Sequence, residues 1–114
     1  MTPDLRSMAW QTVERVFADL HIAVGSPFPV LLGIEVRKEE MVPPLRATLH
    51  KADLETTEAV KKKWPFGRRW FVGAKSQPRP IVRADIERWL DTLEPVLADY
   101  DAVLVTWVPQ VPAA

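Results

Sequence analysis

Cysteine and asparagine are both absent from the 114 residues of this chain. Without cysteine there is no disulfide bond, no thiolate nucleophile and no zinc site built on thiolates. The lack of asparagine, together with only three glutamines and eleven prolines, is typical either of a thermophile or of a GC-rich genome. If the first explanation holds, we expect high heat stability.

Long hydrophobic runs are lacking as well. No segment approaches the roughly 18 apolar residues of a membrane-spanning helix, and residues 1–6 lack the basic start and apolar stretch of a signal peptide. These absences predict a cytoplasmic protein with no membrane partner. Apolar residues make up 47% and charged residues 26% of the chain, which predicts one globular domain over residues 1–110 and a C-terminal tail over 111–114.

Motifs of catalysis and cofactor binding are missing too. His21 and His50 lie in no metal-ligand spacing, no serine occurs in a Gly-x-Ser-x-Gly context, and the four glycines form neither a phosphate-binding loop nor a dinucleotide fingerprint. We therefore predict no catalytic residue, no metal and no cofactor. The preferred interpretation is a small non-enzymatic binding module, and an enzyme that these motifs do not reveal is the third alternative.

Charge is balanced overall but segregated along the chain. Fifteen basic residues offset fifteen acidic ones, so net charge does not favour a nucleic-acid or membrane partner. Residues 61–75, however, carry six basic residues, four aromatic rings and no acid, whereas residues 83–101 carry six acids and two basic residues. The basic segment is the most distinctive stretch of the chain.

The basic segment predicts a nucleic-acid contact, because lysine and arginine bind phosphates and exposed rings stack on unpaired bases. Phe66 is the first stacking candidate, followed by Trp64 or Phe71. The candidate contact residues are Lys61, Lys62, Lys63, Phe66, Arg68, Arg69, Phe71 and Lys75. In the alternative interpretation, Trp64 and Trp70 anchor the core and the basic residues are a solvated helix end and strand start. An anionic membrane or a small anion is a third possibility for this segment.

Hydrophobic periodicity predicts the order α-β-β-α-β-α-β. The expected elements are a helix over residues 2–20, strands over 30–37 and 45–51, a helix over 53–64, a strand over 69–74, a helix over 82–100 and a strand over 102–108. Thr2 and Pro3 begin the first helix, and Trp10 lies beside its apolar stripe, flanking the core or exposed. That stripe comprises Leu5, Met8, Ala9, Val13, Val16, Phe17 and Leu20.

These elements predict an α+β fold with a mixed four-stranded sheet and helices packed mainly on one face. The first two strands form an antiparallel hairpin, and the later strands follow helical crossovers that favour parallel neighbours. The last strand is apolar nearly throughout, which predicts a central strand covered on both faces. Glu35, Arg37, Arg46 and His50 are expected to share the solvated side of the hairpin, as cross-strand ion pairs or as part of a pocket.

The apolar surplus of the chain indicates self-association. Leu31, Phe71 and Trp107 are expected to form an exposed patch, which a two-fold homodimer commonly covers. The second alternative for the function is therefore a homo-oligomeric interaction or structural module. In that alternative, the basic segment pairs with the acidic residues 83–101 of a neighbouring subunit.

Overall fold

The computed structural model describes residues 1–64 and 67–112, with the side chains of residues 62–68 outside that description. A 3-10 turn, Glu39–Met41, precedes the second helix. The helices are α1 (Pro3–Asp19), α2 (Val42–Lys51) and α3 (Arg83–Ala98), and the strands are β1 (Pro27–Phe28), β2 (Val30–Val36), β3 (Glu55–Thr56), β4 (Val60–Trp64), β5 (Gly67–Lys75), β6 (Arg79–Pro80) and β7 (Ala102–Pro109).

The main sheet has β5 and β2 at its centre. Both β3 and β4 pair with the outer side of β5, and β7 pairs with the outer side of β2. The connection from β2 through α2 reaches β4, and the connection from β5 through α3 reaches β7, so each crossover skips one strand. This interleaving of two β-α-β units is the split β-α-β, or ferredoxin-like, topology. The predicted α+β class is confirmed, but the topology alone implies no function.

The predicted strand pairing was partly wrong. Every strand pair among the described residues is antiparallel, because an antiparallel strand is inserted between the two parallel strands that each crossover joins. β7 is an edge strand rather than a central one, and Val103 and Val108 are 44% and 46% exposed. Apolar composition therefore did not mean burial on both faces.

Helix α1 begins as predicted, and its buried face includes Val13 and Phe17 of the predicted stripe but is shifted toward Trp10. The Thr2 hydroxyl accepts a hydrogen bond from the Leu5 backbone N–H at 3.2 Å, and Pro3 occupies the first turn. The buried side chains are Trp10, Val13 and Phe17. Leu5 and Met8, two members of the predicted stripe, are 46% and 62% exposed.

Residues 45–51, predicted as a strand, form most of α2. The missed signals are the helical spacing of Val42, Leu45 and Leu49, all buried, and a proline in the first turn. The alternation of Leu45 and Leu49 with polar residues fits both a strand and a short helix. The predicted hairpin with residues 30–37 is consequently absent, and the four charged residues assigned to its solvated side lie on β2, on α2 and beyond β2.

Residues 53–64, predicted as a helix, contain β3 and β4 instead. Asp53, the predicted helix cap, has a positive φ of 62° and follows the end of α2, a conformation that Asp tolerates better than most residues. The predicted helix 82–100 is confirmed as α3, which continues through Pro95.

The hydrophobic core lies between one face of the sheet and the three helices, as predicted. The buried sheet residues all project to that face: Val30, Leu32, Ile34, Val36, Val72, Ala74, Ala102, Leu104 and Trp107. Trp107 therefore belongs to the core, with its ring centroid 6.2 Å from that of Trp10, and not to the predicted exposed patch. Within the described part of the chain, no helix has the length and hydropathy needed to cross a bilayer.

Candidate nucleic-acid interface

The basic segment forms a hairpin at one edge of the sheet. β4 pairs antiparallel with β5 in a register that sets Lys62 opposite Arg69 and Lys63 opposite Arg68. Like charges directly opposite in a sheet repel each other and destabilise the pair. Lys61 to Lys63 were expected at a helix C-terminus, where a helix dipole would stabilise them, so their placement in a strand is a correction. The hairpin thus concentrates positive charge on two adjacent strands.

The structure locates part of the predicted contact set at side-chain level. Lys61 is exposed and Lys75 is half-buried at the far end of β5. Lys75 lies opposite Glu55 of β3 on one side and Leu31 of β2 on the other, so it stands apart from the hairpin tip. For Lys62, Lys63, Phe66 and Arg68, the side chains lie outside the described residues.

Arg69 is tied into the sheet by an ion pair. Its Nε lies 3.1 Å from Oε1 of Glu35 on β2, and the two side chains are 34% and 28% exposed. This pair joins β5 to β2 across the face opposite the helices. A pair this exposed contributes little to stability, but it fixes the guanidinium on the open face of the sheet and offsets part of its charge.

Phe71 lies across the open face above Gly33 of β2. A Cβ added to Gly33 would lie only 2.8 Å from the Phe71 Cζ and 2.6 Å from the Thr106 Cγ2. Only glycine leaves room for the ring at this point. Phe71 is half-buried, so the glycine underneath fixes an aromatic ring at the centre of the sheet, next to the basic hairpin.

The two tryptophans of the basic segment, Trp64 and Trp70, differ in what the structure describes of them. Trp70 is half-buried and packs against the helix-side core, which agrees with the alternative interpretation of that residue as a core anchor. Trp64 pairs with Gly67 in the backbone register, and its side chain is among those outside the description. Of the predicted stacking rings, Phe71 is therefore the one whose side chain the structure describes.

The acidic segment is largely neutralised within the chain. Five of its six acids form ion pairs: Asp85 with Arg88, Glu87 with Arg83, Asp91 and Glu94 with Arg6, and Asp101 with Lys38. Burial lowers the pKa of Arg6, but its hydrogen bond to Asp91 and the charges of Glu94 and Asp91 raise that pKa by more, so the net shift is upward. These pairs leave little unneutralised acid for a neighbouring subunit's basic segment.

Polar side chains elsewhere form structural contacts. Thr56 Oγ1 lies 3.1 Å from Arg46 Nε and 2.9 Å from His50 Nε2, which joins α2 to β3. The described residues contain no group of three or more histidine or acidic side chains that could hold a metal ion. Comparison with models of protein families and with curated proteins finds no match to this chain.

Sequence reasoning missed a second feature of the sheet. The open face and the β7 edge carry apolar side chains that are exposed, Val60, Val103 and Val108, or half-buried, Leu31 and Phe71. Leu31 and Phe71 were predicted to lie on an outer face, but Val103 and Val108 were assigned to a strand covered on both sides. Burial alternates along β7 except at Val105 and Thr106, where the register with β2 shifts, and this pattern appears only once that pairing is known.

Proposed function

We propose that this chain is a small non-enzymatic module that binds nucleic acid through the β4–β5 hairpin, with phosphates held by its lysines and arginines and a base stacked on Phe71 or Phe66. The observation that carries the proposal is the register of the hairpin, which sets Lys62 opposite Arg69 and Lys63 opposite Arg68. A like-charged pair is relieved when a polyanion binds against it, and the Lys62–Arg69 pair belongs to the same face of the sheet as Phe71.

The position of Phe71 supports a single-stranded ligand. Four-stranded sheets bind single-stranded RNA by stacking bases on aromatic rings of the open face, with basic residues nearby for the phosphates. Phe71 occupies such a place on a central strand, and Arg69 projects from the same face two residues away. Bases within a duplex are already stacked on each other, so this ring favours unpaired bases.

Lysines also occur on edge strands simply because they discourage pairing with another sheet. This explanation accounts for Lys61, Lys62 and Lys63 on the edge strand β4. It does not account for Arg68 and Arg69, because β5 is an inner strand whose two sides are already paired. Charge on both strands is what favours a ligand over edge protection alone.

The experiment that tests the proposal is a titration of the full chain into labelled single-stranded RNA, single-stranded DNA and duplex DNA over a salt series. We expect log affinity to fall with log salt with a slope of about −2 to −5, since each neutralised phosphate contributes about 0.7 to 0.9. Lys62→Glu should weaken binding to all three ligands. Phe71→Ala and Phe66→Ala should weaken binding to single strands more than to duplex.

The matched control is Lys51→Glu, which makes the same change of charge at an exposed residue on α2. Arg69→Gln is a better variant than a reversal to Glu, because Glu35 lies 3.1 Å away and would repel a new carboxylate. Equal weakening by Lys62→Glu and Lys51→Glu would show that the hairpin is not the site. Absence of binding at low salt would overturn the proposal.

Self-association is the second candidate function, favoured by the exposed valines Val103 and Val108 of β7. In this case the chain is a homodimeric interaction module, whose apolar surface is covered by a second copy. The two candidates are compatible with each other because the hairpin and the β7 edge lie at opposite sides of the sheet. A cytoplasmic location and high heat stability stay predictions of the sequence.

A further inference from the structure

The outer edge of β7 has unpaired main-chain groups. Hydrogen-bonded pairs alternate along an antiparallel ladder, and Gln110 N donates to Pro29 O while Arg37 N donates to Asp101 O. The register with β2 extends this alternation along β7 from both ends. It directs the main-chain N–H and C=O groups of Thr106 and Val108 toward β2, and those of Leu104 and Trp107 away from β2. Among the described residues, no strand pairs with that outer side.

This edge lacks the charged side chains, the central proline and the short length with which many natural edge strands discourage pairing. Its one irregularity is the extra residue Val105, where the register with β2 shifts. Residues 102–109 have no charge, and their proline is the last residue. At eight residues, β7 is long for an edge strand. An edge of this kind is a template for another strand.

Helix α1 presents an apolar surface beside the same edge. A groove of about 410 Å³ runs between α1 and the C-terminal half of β7, lined on the helix side by Ala9, Thr12, Val13 and Val16. Leu5 and Met8 lie on the exposed face of α1 next to it. Any partner that extends the sheet at β7 therefore also meets an apolar helix face.

The charges of that helix face fit a second copy of the same helix. Asp4 and Arg15 are both exposed, and no ion pair of the described residues involves either of them. They are eleven residues apart, about three helical turns, so they lie on one side of α1 with Leu5, Met8 and Thr12 between them. When two α1 helices pack antiparallel about a two-fold axis, Asp4 of each approaches Arg15 of the other.

We propose that two copies of this chain associate about a two-fold axis by antiparallel pairing of their β7 strands. Their α1 helices pack against each other on the helix side of the paired strands. The two sheets then form one continuous sheet, and two Asp4–Arg15 ion pairs flank the apolar contact of α1. A strand edge paired antiparallel with its own copy is self-complementary, as an isologous interface requires. The inference rests on the self-association proposed above and names its surface.

The test measures the mass of the full chain by light scattering and sedimentation from micromolar to near-millimolar concentration at low salt. We expect a concentration-dependent dimer. Asp4→Arg and Arg15→Asp should each weaken dimerisation by about fivefold or more, because each creates two like-charged contacts across the interface. The double variant Asp4→Arg/Arg15→Asp should restore it. Because about 16 Å separates residues 4 and 15 along the helix, rescue cannot come from within one chain.

Amide hydrogen exchange gives a second readout with an internal control. The Thr106 and Val108 amides bond to β2 and should be protected at every concentration. The Leu104 and Trp107 amides should become protected only as the dimer forms. If both charge reversals leave dimerisation unchanged and these two amides stay unprotected in the dimer, the proposed surface is wrong, although the chain still self-associates. A monomer at all concentrations would overturn both.

Discussion

The two edges of the sheet differ sharply in charge. The β4 edge carries three consecutive lysines, Lys61 to Lys63, whereas the β7 edge carries no charged residue over residues 102–109. Charged edge strands resist pairing with other strands, and uncharged ones invite it. The same sheet therefore presents one edge suited to water or a polyanion and one suited to another protein strand. The charge on an edge strand indicates what kind of partner it can meet.

The largest expected effect that tests this difference is on stability. Trp107 of β7 is 4% exposed and contacts Trp10, and its indole N–H has no hydrogen-bond partner among the described residues. Trp107→Ala should lower the free energy of unfolding by about 3 to 5 kcal/mol, through lost packing and the cavity left behind. Lys61→Ala, at the exposed β4 edge, should change it by less than about 0.5 kcal/mol. Urea unfolding of both variants measures the contrast, and equal losses would contradict it.

A smaller loss of stability is expected from a substitution at Gly33, on the open face of β2. Gly33 lies on β2 between Phe71 of β5 and Thr106 of β7, and a Cβ there would approach both side chains closer than 3 Å. Gly33→Ala should therefore destabilise the fold by about 1 to 3 kcal/mol. It should also weaken single-strand binding, because the Phe71 ring must move.

The control for Gly33 removes one of the two clashes. Thr106→Ser deletes the Cγ2 methyl that a Cβ at residue 33 would meet at 2.6 Å. In the double variant, part of the loss should be recovered, and a double-mutant cycle measures that coupling. Strict additivity of the two substitutions would mean that the glycine does not mediate contact between the β5 and β7 sides of the sheet.

Local pattern predicted the elements whose period was long or unambiguous. The stripe of Ile86, Leu90, Leu93 and Leu97 repeats over about three turns, so α3 was predictable, and Thr2 with Pro3 marked the start of α1. The segment from residue 42 to residue 64 was not predictable in the same way. In a run as short as Leu45 to Leu49, spacings of two and of four residues coincide, and the choice between strand and helix is made by tertiary packing.

The position of a strand in the sheet was also beyond local pattern. Residues 102–108 are apolar on both faces, which in a single chain indicates a central strand, but β7 lies at the edge. The exposed Val103 and Val108 are consistent with cover from outside the chain. The basic hairpin shows the same limit, since the run of charge was visible in the sequence but the pairing of Lys62 with Arg69 depends on a register that no local rule gives.

The smallest expected effect on stability is that of Lys62→Glu, which should raise the free energy of unfolding while it lowers the affinity for nucleic acid. Lys62→Glu replaces a like-charged cross-strand pair with an opposite-charged one at Arg69, so it should stabilise the fold by roughly 0.5 kcal/mol. The gain is modest because Glu35 already pairs with Arg69. Urea unfolding at low and at high salt measures it, and screening should remove the gain at high salt. Lys61→Glu is the matched control, since residue 61 lies opposite Trp70 and should gain nothing. A Lys62→Glu variant that is more stable but binds nucleic acid more weakly would show that the hairpin keeps a repulsive pair because its ligand needs it. A variant that loses both stability and affinity would show that Lys62 makes stabilising contacts within the chain. The β4 edge would then be charged for structural reasons.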